Sequence, residues 1–62
     1  MTVAVGDRVR ITGDRATPDI EDFRVALGRT GKVRRAGALM VYVEWDGLTH
    51  VRSYHCSWIV KA

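Results

Sequence analysis

Apolar and charged residues alternate along Arg8-Val9-Arg10-Ile11-Thr12, which predicts a strand with Val9 and Ile11 turned inward and Arg8 and Arg10 outward. Gly13-Asp14 ends it. A second apolar and β-branched run extends from Thr30 to Arg35 between Gly28 and Gly37. The third, Met40-Val41-Tyr42-Val43-Glu44-Trp45, alternates most regularly, and Asp46-Gly47 supplies a turn after it. A fourth runs from about Thr49 to Tyr54, and Trp58-Ile59-Val60 is a short closing strand. Five short strands predict an all-β domain, a small five-stranded barrel whose closure removes exposed sheet edges.

One segment departs from the two-residue period. In Thr17-Pro18-Asp19-Ile20-Glu21-Asp22-Phe23-Arg24-Val25-Ala26-Leu27-Gly28, Thr17 can cap, Pro18 suits a first helical position and acids fill the first turn. Ile20, Phe23 and Leu27 share one helical face, and Gly28 can end the helix in a left-handed conformation. Position 20 is Ile rather than Glu or Gln, so there is no capping box. The pattern predicts a short helix or helical turn in the long loop between the first two strands, with its apolar face plugging one end of the barrel.

Strand pleating then predicts which residues share a face, since directly opposed residues on antiparallel strands point the same way. Val41, Val43, Trp45 and Val51 are the apolar positions to turn inward. Opposing Val43 to Val51 leaves Asp46-Gly47-Leu48 as a connection, whereas a two-residue turn would bury His50. Opposing Val33 to Val43 leaves Gly37-Ala38-Leu39. The outer rows become Lys32, Glu44 and His50; Arg34, Tyr42 and Arg52; and Ala36, Met40 and Tyr54.

Sixty-two residues allow one domain. A domain of this size buries about 60% of the surface its unfolded chain exposes. The single cysteine, Cys56, cannot form an internal disulfide, and no zinc-ligand set is present, so packing must stabilise the fold, alone or with self-association. An unpaired cysteine fits a reducing compartment. No apolar run approaches the roughly 18 residues of a membrane span. The segment from Met1 to Asp7 lacks the features of a signal peptide, and the expected location is cytoplasmic.

Charge sharpens this picture. The net charge is +3, but residues 1–22 hold three arginines against five acids, and residues 23–62 hold seven cations against two acids. Between Phe23 and Val43 there are five basic residues and no acid. A basic half favours an acidic partner.

Three segments carry a family resemblance. Gly28-Arg29-Thr30-Gly31-Lys32-Val33 resembles the glycine-x-x-glycine-x-valine core of KOW-type and related SH3-like barrels. Val41-Tyr42-Val43-Glu44-Trp45-Asp46-Gly47 resembles the strand and turn that follow it, and Val5-Gly6-Asp7-Arg8-Val9-Arg10-Ile11 is similar to their first strand. Together they cover about a third of the chain. The resemblance implies a small five-stranded SH3-like barrel. Such barrels occur in ribosomal proteins, transcription-elongation factors, a small photosystem I subunit, and bacterial and phage proteins, so it implies no single function. The insertion before Gly28 sets the chain apart from the shortest KOW motifs. The aromatic-rich acidic signature of peptide-binding SH3 domains is absent, which argues against proline-rich ligands.

Catalytic groups are not brought together by the pattern. His55 and Cys56 are neighbours on extended chain and point apart. His50, His55, Cys56 and Asp46 lack metal-site spacing. Asp19, Glu21 and Asp22 read as a solvated helix start. Gly28 and Gly31 lack the ending of a phosphate loop. Trp45 and Trp58 read as packing residues. The expectation is a non-enzymatic binding module without cofactor or metal and with no evident small-molecule substrate.

Its candidate face comprises Arg29, Lys32, Arg34, Tyr42, Arg52 and Tyr54, cations and aromatics of the kind that hold phosphates while stacking bases. Cross-strand Lys–Glu and Arg–Tyr pairs also stabilise an exposed sheet by about 0.2–1 kcal/mol each without any ligand. A protein partner is the alternative: an adaptor or subunit of a larger assembly, including a phage-encoded modulator of a host protein. Its motive is the apolar set Phe23, Leu27, Leu39, Met40 and Leu48, which exceeds what so small a barrel can enclose.

Overall fold

The computed structural model describes residues 3–62. Met1 and Thr2, part of the segment read above for a leader, lie outside them. The elements are β1 (Arg8–Ile11), α1 (Glu21–Arg24), β2 (Gly31–Ala36), β3 (Met40–Trp45), β4 (Val51–His55), a 3-10 turn (Cys56–Trp58) and β5 (Ile59–Lys61). The strands form one antiparallel sheet in the order β4-β3-β2-β1-β5. β3 has the bounds its alternation predicts. Thr12, expected in β1, lies just beyond it, and its N–H donates to Trp58 O over 2.8 Å.

The sheet is open, which corrects the expectation of full closure: among the described residues β4 and β5 are its two edges. Packing around the 3-10 turn and α1 fills that end instead. Phe23 stands edge-on to Tyr54 at 5.3 Å and to Trp58 at 4.9 Å between ring centroids. Such edge-to-face pairs contribute about 0.5–1.5 kcal/mol beyond their buried area. The inner face supplies the rest of the core: Val9, Ile11, Val33, Val41, Val43, Trp45, Tyr54 and Ile59, with Ala26 from beyond α1.

The helix is shorter than its sequence pattern. α1 spans four residues, with Ile20 rather than Thr17 at its N-cap and no side-chain cap. Phe23 and Ala26 are buried, whereas Ile20 and Leu27 are exposed. The Ala26 N–H reaches back to Phe23 O over 3.1 Å, and this tighter winding brings residues three apart onto one side. Gly28 then takes a φ of 77°, the left-handed turn anticipated for it.

Register brings the larger correction. Val33 opposes Val43 as expected, but the ladder shifts between Val33 and Arg35, so Arg35 opposes Tyr42. On the other side Val43 opposes Arg52, and Glu44 opposes Val51. This one-residue slip inverts β4: Tyr54 is 2% exposed and Val51 is 48% exposed. Burying the tyrosine ring removes more apolar area than burying valine would, and its hydroxyl finds two partners.

Candidate functional site

The shift in β2 is a bulge at Arg34. A bulge places two residues opposite one and re-aims their side chains. Both Arg34 and Arg35 consequently reach the outer face. The Arg34 guanidinium lies 3.5 Å from the Glu44 carboxylate, and that of Arg35 lies 5.8 Å from the Tyr42 ring centroid. Lys32 opposes Glu44 on one side and Arg8 on the other. Arg8, Lys32, Arg34 and Arg35 therefore lie across β1 and β2 beside a half-buried tyrosine.

The turn after β3 carries the second acid of this region. Both terminal nitrogens of Arg8 donate to the Asp46 carboxylate, and Thr30 Oγ1 donates to it over 3.0 Å. The bonds from Arg8, followed by that from Thr30, hold the Asp46 carboxyl below the usual carboxylate range, and the same pair raises the Arg8 guanidinium. The Arg29 guanidinium donates to Asp46 O over 2.8 Å. Arg8 and Arg29 thus pin the turn, while Lys32, Arg34 and Arg35 extend the basic surface along β2.

Lys32, Arg34 and Tyr42 share the outer face, but Arg35 rather than Arg34 stands opposite Tyr42, and Arg29 stands at the margin. Arg52 and Tyr54 do not join them. Arg52 belongs to the inner side, where its guanidinium binds the Asp22 carboxylate and lies 3.6 Å from that of Glu21. These bonds, Asp22 first, raise its pKa. Tyr54 accepts from Trp45 Nε1 over 2.9 Å and donates to Asp22 O. Burial raises its pKa. Both residues fasten the α1 segment to the sheet. Sequence reasoning missed Arg35 and Arg8, although the adjacent Arg34 and Arg35 interrupt the alternation and were the available sign of a bulge.

No protein family, curated protein or solved structure compared with the chain matches it.

Several other reactive side chains have structural partners. His55 Nδ1 accepts from the Ser57 N–H over 3.1 Å and lies 2.9 Å from Ser57 Oγ, so the imidazole caps the 3-10 turn. Cys56 is exposed. Glu21 and Asp22 face Arg52, and Asp19 lies 3.8 Å from Arg24. Trp45 is buried, and Trp58 packs on Phe23 with the Arg15 guanidinium 3.7 Å above its ring. Among the described residues no three His, Cys, Asp or Glu side chains gather as metal ligands, and no helix is long and apolar enough to cross a membrane. A groove of about 400 Å³ runs between the end of β1 and the segment after α1, with Arg10, Thr12, Leu27 and Arg29 in its walls.

Proposed function

We propose that the chain is a non-enzymatic binding module of the KOW-type, SH3-like class, open between β4 and β5, that holds a nucleic-acid backbone on its outer sheet face. The strand order and Gly31 packed under Trp45 support the fold-level part. The observation that carries the functional part is the bulge at Arg34, which sets two consecutive arginines on the face that already bears Lys32 and Tyr42. Guanidinium and ammonium groups bind phosphate oxygens, and an adjacent aromatic ring offers a base a stacking surface.

Fluorescence anisotropy with labelled single-stranded RNA and duplex DNA, at low and near-physiological salt, tests the reading. Three phosphate contacts predict a log–log salt slope of about −2 on a single strand. Absence of binding at low salt would overturn the proposal.

Exposed apolar side chains favour a protein partner as the second reading. Of the apolar set singled out above, Phe23 is buried and Leu48 packs against the core, but Leu39 is 63% exposed, Leu27 53% and Met40 37%. Recovery of one stoichiometric protein after nuclease treatment would support it over the nucleic-acid reading.

A further inference from the structure

The open edge of the sheet at β4 has a definite hydrogen-bonding state. The Cys56 N–H donates to Leu39 O over 2.7 Å, in line with the pairing of Met40 with His55. Hydrogen-bonded and non-hydrogen-bonded pairs alternate along an antiparallel ladder. Val41/Tyr54 and Val43/Arg52 are therefore the hydrogen-bonded pairs between β3 and β4. The main-chain N–H and C=O groups of Val51, Ser53 and His55 point the other way, to the free edge.

Natural sheets guard such edges with lysine, proline, bulges or short strands. The opposite edge follows this rule: β5 has three residues and ends in Lys61. β4 does not. It has five residues without proline, lysine or a bulge, and its inward-turned charge, Arg52, is neutralised by Asp22 and Glu21 of the same chain, so it sets no free charge against a pairing strand.

We infer that β4 is a self-association edge, which pairs antiparallel with β4 of a second copy about a twofold axis through Ser53. The strand is self-complementary in that register. Ser53 meets Ser53 of the second copy and Val51 meets His55, each pair exchanging two main-chain hydrogen bonds. No charged side chain on the outer face of β4 opposes a like charge. Val51, 48% exposed, would come beside the His55 and Met40 row of the second copy, which gives these apolar atoms cover. The central row would run from Arg35, Tyr42 and Ser53 into the same residues of the second copy, so two basic faces would become one surface. This inference rests on the edge and stands whether or not that surface binds nucleic acid.

Sedimentation equilibrium over a wide concentration range, with amide hydrogen exchange followed by NMR, tests it. The expected result is a concentration-dependent species of twice the chain mass. Protection at Val51, Ser53 and His55 should rise with concentration, whereas Arg52 and Tyr54 are already protected by β3. Ser53→Pro removes an N–H that points away from β3, so it should abolish the dimer and retain the sheet. Val51→Lys, an exposed outer position, should weaken dimerisation by about tenfold or more and carries the test where the proline variant fails to fold. A chain that stays monomeric throughout, or a dimer unchanged by Val51→Lys with no added protection at the three amides, would overturn the inference.

Discussion

The indole N–H of Trp45 donates to the phenolic oxygen of Tyr54 over 2.9 Å, and the same hydroxyl donates to the main-chain oxygen of Asp22. One hydroxyl therefore links β3, β4 and α1 inside a core that otherwise packs by apolar contact. Tyr54→Phe keeps the ring against Phe23 but leaves the buried indole N–H unpaired. An orphaned buried donor costs about 1–3 kcal/mol, and urea denaturation should report a loss of that order with the native fold retained. The alkaline limb should change as well. Because Tyr54 has a raised pKa when folded, its neutral form favours the native state; that contribution is full below the ordinary tyrosine pKa of about 10 and is lost as pH rises through the folded value. The phenylalanine variant should lack this alkaline component.

Gly31 opposes Trp45 across the β2–β3 ladder, and a Cβ there would stand 2.7 Å from Trp45 Cε3 and from Val43 Cγ1. Both neighbours are fully buried and have little room to retreat. Gly31→Ala should destabilise by about 1–3 kcal/mol or more through overpacking. Gly13→Ala is the control, since a Cβ there meets nothing within 4 Å. Thermal melts of the two variants should diverge; equal melting temperatures would contradict the close packing under Trp45.

Asp46 gives the acid limb of stability a specific component. Its carboxyl is depressed in the folded state by bonds from Arg8 and Thr30. That contribution is present above the ordinary carboxylate range, about pH 4, and is lost as pH falls through the folded value. Melting temperature measured from pH 6 down to pH 2.5 should fall less steeply in Asp46→Asn than in the native chain. Parallel curves would show that the turn gains nothing from the charged pair.

Arg34 and Arg52 were grouped by the sequence pattern and are separated by the sheet, so charge reversal should split them. Arg34→Glu with Arg35→Glu should abolish nucleic-acid binding in anisotropy titrations with little change in melting temperature. Arg52→Glu places a third acid beside Glu21 and Asp22 and should lower the melting temperature while leaving binding close to native. The opposite assignment of effects would move the candidate face to the α1 side.

Strand existence was legible because Val9/Ile11 and Val41/Val43/Trp45 alternate against charged neighbours over lengths a strand requires. The register of β4 was not. Valine at position 51 is the apolar choice in isolation, and only the assembled core shows Tyr54 with an indole donor to meet and Arg52 with two carboxylates within reach. Helix signals at Thr17 and Pro18 were local, and they yielded to the placement of Phe23 between Tyr54 and Trp58. Half of the six residues first grouped as a face, Lys32, Arg34 and Tyr42, stand together on the outer sheet. Arg35 joined them through an irregularity that strict alternation does not describe.

β1 pairs with β2 on one side and β5 on the other, with Val9 opposite Lys61 and the Ala62 N–H donating to Arg8 O over 2.9 Å. β1 is thus made before β5 and waits for it. While this stretch emerges from the ribosome, Val9 and Ile11 lack one of their neighbours, and the hairpins of β2, β3 and β4 form without the contact that joins the two ends. Pairings this distant in sequence place folding in the slow, millisecond-to-second range of small β proteins. Closure of that long loop, rather than formation of any single hairpin, should set the rate.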